Sequence, residues 1–108
     1  MKEIDSQLWE VLVPVADNNG DEFPVEYHQA WDERVRELTG GLTIMRTAKG
    51  QWQDNEGNLF AERVIPVRVA CDEGMVRQIM EHTLTHYGQL AVMAYQVSDK
   101  AIILEAGS

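Results

Sequence analysis

The stretch GGLTIMRTAKGQWQDNEGNLFAERVIPVRV, residues 40–69, decides the fold. Gly40-Gly41 stops a helix, because glycine takes the left-handed closing conformation at no steric cost. A strand, a polar turn and a second strand follow. Asp54-Asn55-Glu56-Gly57 reads as a four-residue loop. It sets Trp52 opposite Leu59 and Lys49 opposite Glu62, both favourable cross-strand pairs. A five-residue loop instead opposes Lys49 to Arg63, which repel, so the first register is expected. A bulge at Gly50 would shift the pairing beyond it by one residue.

Upstream, Pro24 suits the first position of a helix. Tyr27, Trp31, Val35 and Leu38 continue it as one apolar stripe, spaced by fours and a three. Leu8–Val15 is a valine-rich first strand, joined to that helix by the turn-forming Asp17-Asn18-Asn19-Gly20-Asp21. Downstream, Asp72 is an N-cap for a second helix. Val76, Ile79, Met80, Thr83, Leu84 and Tyr87 form its inner stripe, and Gly88 ends it. Leu90–Val97 reads as a strand. Ser98-Asp99-Lys100 turns, and Ala101–Leu104 extends the edge or adds a short strand.

The order is strand, helix, strand, strand, helix, strand. This is the ferredoxin-like βαββαβ arrangement, an α+β fold. Right-handed crossovers place both helices on one face of a four-stranded antiparallel sheet of spatial order 4-1-3-2. Pro14 and Pro66 then fall on central strands, where proline removes a ladder hydrogen bond, so strand ends or bulges are expected there.

The bulk numbers fit one domain over residues 1–108. With 9 basic against 18 acidic side chains the surface repels phosphate backbones, which argues against nucleic-acid binding. No apolar run approaches the ~18 residues of a membrane span, and the acidic start does not read as a secretory signal. One cysteine excludes an internal disulfide and fits a reducing cytoplasm. No cofactor motif is present.

At the hairpin the chain resembles an uncharacterised family of small bacterial α+β proteins. The shared features are Gly40-Gly41-Leu42-Thr43, then Gly50-x-Trp52-x-x-x-x-Gly57, then Glu62, with Arg63 standing where the family usually has serine. The likeness spans about residues 8–97. It implies a ferredoxin-like fold, often met in dimeric α/β-barrel relatives, and no settled activity.

Alternation sends Ile65, Val67, Val69, Val11, Val13 and Val15 toward the helices. Phe60, Glu62, Val64, Arg68, Glu10 and Leu12 go to the open face. A bare face that is half apolar invites a second copy packed sheet against sheet, so a homodimer is expected. The candidate ligand-binding residues are Glu10, Arg46, Trp52, Glu62 and Arg68. Between apolar walls Glu10 or Glu62 gains basicity, Arg46 or Arg68 holds an anion, and Trp52 stacks on a ligand. His82 and His86 share one helix flank but lack a third ligand and read as solvated surface, as does His28. Cys71 reads as a buried structural thiol.

The expected function is therefore a small cytoplasmic binding or interaction module, homodimeric, with a small-molecule pocket on the open face. The alternatives are a cofactor-independent isomerase or monooxygenase of the dimeric α/β-barrel type, and an acidic partner of a basic protein.

Overall fold

The computed structural model describes residues 1–107. β1 runs Lys2–Pro14, α1 Val25–Thr39, β2 Thr43–Ile44, β3 Ala48–Gln53, β4 Leu59–Ala70, α2 Glu73–Tyr87 and β5 Ala94–Glu105. All pairings are antiparallel, and β5, β1 and β4 lie side by side with β2 and β3 both on the far edge of β4. This is the expected ferredoxin-like order, with five strands in place of four.

The extra strand has a cause at Pro66. Its carbonyl accepts from Met45 N–H across the β2–β3 side, so its ring nitrogen points to the same edge and offers no donor there. The ladder breaks between the Ile44–Val67 and Ala48–Val64 pairs, and one expected strand becomes two. Pro14 simply ends β1.

The hairpin register departs from the expected one. Trp52 pairs with Phe60, Gly50 with Glu62, and Lys49 with Arg63. Turn chemistry outweighs the like-charge pair. Asp54 Oδ1 accepts from the backbone N–H of Glu56 and Asn58, Oδ2 accepts from Asn58 Nδ2, and Gly57 closes at φ 82°. These bonds hold the Asp54 carboxyl below the usual carboxylate range, the Asn58 side chain contributing most. Arg63 is meanwhile neutralised by Glu22.

Two other boundaries move. β1 begins at Lys2, six residues before the expected start. Residues 90–93 form a loop, and β5 runs unbroken through Ser98-Asp99-Lys100.

Helix ends follow the sequence. Pro24 sits one position before α1, Gly40 closes that helix at φ 87°, and its N–H bonds Arg36 O. Asp72 caps α2 by accepting from Met75 N–H at 2.8 Å, and Gly88 closes it at φ 61°.

The core lies between the helices and one sheet face. Val11, Val13, Val67 and Val69 from the sheet meet Trp31, Val35, Val76 and Ile79 from the helices. Cys71 joins them, and burial followed by Asp72 pushes its thiol up to about 11, so it is inert at neutral pH. Tyr27, expected in the core, is exposed; it stacks on Phe23 and meets His86 of α2 at the outer edge of the helix seam.

The histidines are not free surface groups. His28 Nδ1 and Tyr87 Oη share a 2.7 Å hydrogen bond, and His86 Nε2 donates to Tyr27 O. His82 Nε2 is buried without a partner. Burial lowers the His28 and His82 pKa values, with His86 adding to both and Asp32 opposing at His28. Both folded values lie below the ordinary 6.5, so the unfolded chain takes protons first as pH falls. Their stability contribution is present above about 6.5 and is lost as pH falls through that value toward the folded pKa. Asp32, raised by burial, acts with the opposite sign as it ionises. The thermal midpoint is expected to fall from roughly pH 7 to pH 5, with a shallower slope for His82→Gln. A midpoint flat across that window rules this out.

Candidate functional site

The open face carries two separate polar constellations. The first is on the hairpin. Trp52 on β3 and Glu62 on β4 flank Gly50 on one strand face, and Trp52 Nε1–H donates to Glu62 Oε1 at 3.0 Å. A Cβ on Gly50 would lie 3.7 Å from Glu62 Cγ and 3.8 Å from Trp52 Nε1, so glycine leaves a flat floor between them. Among the described residues no cationic side chain lies within salt-bridge distance of Glu62. Its second oxygen has no protein donor there.

These two side chains stand where two adjoining hollows meet. The larger, about 570 Å³, opens toward the Asp17–Gly20 loop, Lys49 and Phe60. The other, about 460 Å³, runs along Leu12, Pro14 and Val64 to the loop of Leu90–Met93. Asn18, Trp52, Glu62 and Gln89 line both. The loops are tied in place. Asp17 Oδ1 accepts from Asn19 and Asp21 N–H, and Met93 O accepts from Leu12 N–H. The cleft thus joins an indole face, the Glu62 carboxylate, two side-chain amides and an aliphatic wall, with Asp17, Lys49 and Arg63 also lining the larger hollow. Each hollow is of a size that takes a small molecule.

The second constellation is Glu10, Arg68 and Tyr95. Glu10 is 5% exposed despite facing away from the helices. Arg68 Nε donates to its Oε1 at 2.9 Å, and Tyr95 Oη donates to Oε2. With both oxygens engaged, Glu10 is a structural ion-pair partner. Arg68 lies six residues from Glu62 along β4, roughly 20 Å away at strand rise.

Of the five expected site residues, the structure brings together Trp52 and Glu62. It joins Glu10 to Arg68 elsewhere. Arg46, between β2 and β3, lines neither hollow. Asn18, Gln89 and Tyr95 were not expected. Asn18 and Gln89 sit in loops after strand and helix signals and carry no local mark of a site. Tyr95 becomes visible only when β5 is aligned with Glu10. Among the described residues no group of three or more His, Cys, Asp or Glu is placed to hold a metal ion. Among the described residues no helix is long and apolar enough to cross a membrane.

No family model matches the chain. No curated protein matches it either. Solved structures do. A phage SAM lyase in complex with S-methyl-5'-thioadenosine aligns with a TM-score of 0.65 at 13% identity, over 93% of this chain and 90% of that one. CutA1 from Oryza sativa aligns at 0.62 and 12% identity, over 97% and 84%. The periplasmic divalent cation tolerance protein CutA from Archaeoglobus fulgidus aligns at 0.57 and 12%, over 97% and 88%. At such identities the likeness establishes the ferredoxin-like fold alone.

Proposed function

We propose that this protein is a small-molecule-binding module that works as a homo-oligomer, a homodimer being the simplest, and that its ligand is a flat heterocycle of the adenine-nucleoside thioether class. The observation that carries this is the Trp52–Glu62 hydrogen bond over the bare floor of Gly50, at the junction of the two hollows. An indole held in one orientation is a stacking platform. The free carboxylate oxygen accepts from a ribose hydroxyl or an exocyclic amine, and the Asn18 and Gln89 amides supply both donors and acceptors. The aliphatic wall of Leu12, Val64 and Val92 suits a thioether end. The S-methyl-5'-thioadenosine in the neighbouring phage structure supports the ligand class. A reducing cytoplasm suits the single buried thiol.

Titration with S-methyl-5'-thioadenosine, followed by tryptophan emission and calorimetry, is expected to saturate. Glu62→Gln is expected to weaken it about tenfold, the loss of one charge-assisted hydrogen bond. No heat and no emission change at millimolar ligand rejects the ligand class. Sedimentation at micromolar protein tests the assembly, and a 12.3 kDa species at every concentration removes it.

The lyase activity named for that neighbour favours a second reading, an elimination on SAM in which Glu62 takes a proton from the amino-acid arm, a C=C bond forms there, and the adjoining C–S bond breaks with its electron pair leaving on S-methyl-5'-thioadenosine. Chromatography of SAM incubated with the protein decides it. Consumption that stops in Glu62→Gln while binding persists establishes catalysis, and no consumption leaves a binder.

A further inference from the structure

The sheet has three or more strands only in its middle. β4 pairs with β1 no further than Leu8–Ala70, so residues 2–6 of β1 and 101–105 of β5 continue as a two-stranded ribbon. At the other end the β3–β4 hairpin runs past the Pro14–Val64 pair with no third strand. A two-stranded ribbon alone is marginal in water. On one face of this one Ile4 opposes Ile103; on the other Ile102 and Leu104 stand opposite Asp5 and Glu3, and Leu104 is 62% exposed. The hairpin end likewise exposes Trp52, Leu59 and Phe60.

The two ends lie apart along a molecule 55 Å long, so neither covers the other within one chain. The chain exposes 7409 Å², roughly 1,300 Å² above the ~6,100 Å² expected of a compact monomer of its mass. Its radius of gyration is 15.4 Å against about 13 Å for a compact chain of this length. The surplus surface exceeds the ~800 Å² that each partner contributes to a standard interface. A second copy of the same chain supplies in one molecule both a ribbon with exposed Ile102, Ile103 and Leu104 and a hairpin with exposed Trp52, Leu59 and Phe60.

We infer that the β1–β5 ribbon of one copy seats on the β3–β4 hairpin of another and forms the missing wall of the Trp52–Glu62 cleft, so that the ligand site is shared between copies. The inference rests on reading that cleft as the ligand site. Two chains lying antiparallel make the contact twice about a two-fold axis and close. Ile102 and Leu104 then wall the solvent side of the cleft, with Asp5 and Glu3 beside them on the same ribbon face.

The contact and the shared site are tested separately. Phe60→Cys chains mixed with Leu104→Cys chains are expected to form a disulfide-linked pair under mild oxidation, while neither variant alone does so; Cys71 is buried and does not compete. Absence of the mixed pair overturns the inference. Leu104→Asp is expected to weaken S-methyl-5'-thioadenosine binding at least tenfold, although Leu104 lies at the end of the chain remote from Trp52. Adding Trp52→Ala chains, whose ribbon is intact, restores tight binding to the intact clefts. A Leu104→Asp chain that folds and binds like the parent overturns the shared wall. If the parent itself binds no S-methyl-5'-thioadenosine, the ligand reading fails and the shared site with it, while the cross-link still reports on the contact.

Discussion

Trp31→Ala is expected to remove about 3–5 kcal/mol of stability, read from urea denaturation. Trp31 is the largest of the fully buried side chains, 1% exposed between α1 and α2. Truncation leaves a cavity where helix and sheet residues converge, and the rigid sheet of Val11, Val13, Val67 and Val69 cannot collapse into it. A polar cost adds to the apolar one. Trp31 Nε1–H donates to Thr83 Oγ1 at 3.0 Å, and Thr83 in turn donates to Ile79 O at 2.6 Å. Removing the indole leaves a fully buried hydroxyl oxygen without its donor. Against a total of about 5–15 kcal/mol for a domain of this size, the loss lowers the midpoint by roughly 20 °C. Trp31→Phe separates the two contributions. It keeps most of the volume and loses the hydrogen bond, and is expected to cost about 1–3 kcal/mol. A Trp31→Ala loss under about 1 kcal/mol would mean that the helix seam relaxes freely and that the core is held elsewhere.

Residues of this kind were legible because burial imposes a period. Trp31, Val35, Val76, Ile79 and Tyr87 all lie on the expected stripes and all are buried. The glycine stops at Gly40 and Gly88 follow from local backbone chemistry alone. Tyr27 shares the stripe of Trp31 but lies one turn nearer the helix start, where Phe23 and His86 meet it outside the core. Periodicity gives direction around a helix and says nothing of where along it the core ends.

The hairpin register was lost for a different reason. Pair preferences weighed Lys49 against Arg63 as an isolated couple. The structure sets Glu22 beside Arg63 from a loop 41 residues away, and lets Asp54 organise a five-residue turn. Glu10 shows the same limit. Alternation placed it correctly on the face away from the helices, yet Tyr95 and Arg68 cover it there. Its role depends on which residues β4 and β5 bring alongside, and that register is a property of the whole sheet. Glu62 and Trp52 were within reach of sequence reasoning because they are local partners across one turn. Asn18 and Gln89 join them only through the packing of two loops.

Trp52→Ala is expected to lower the affinity for S-methyl-5'-thioadenosine by roughly ten- to a hundredfold, the ~1–3 kcal/mol of a base stacked on an aromatic ring. The same change is expected to leave the folding midpoint nearly unmoved. Trp52 is 44% exposed, and within one copy its loss removes its cross-strand contact with Phe60 and its bond to Glu62. A site residue and a core residue are thereby told apart, since Trp31→Ala moves stability first. Trp52→Phe distinguishes stacking from orientation. It keeps a ring over Gly50 and deletes the donor to Glu62, so the carboxylate is free to swing toward solvent. If stacking dominates, Phe recovers most of the affinity. If the indole N–H matters by aiming Glu62, Phe and Ala are both weak, and the dependence on Glu62→Gln vanishes in either background. Equal affinity in the parent, Trp52→Ala and Trp52→Phe chains places the ligand away from the hairpin and removes the cleft as its site.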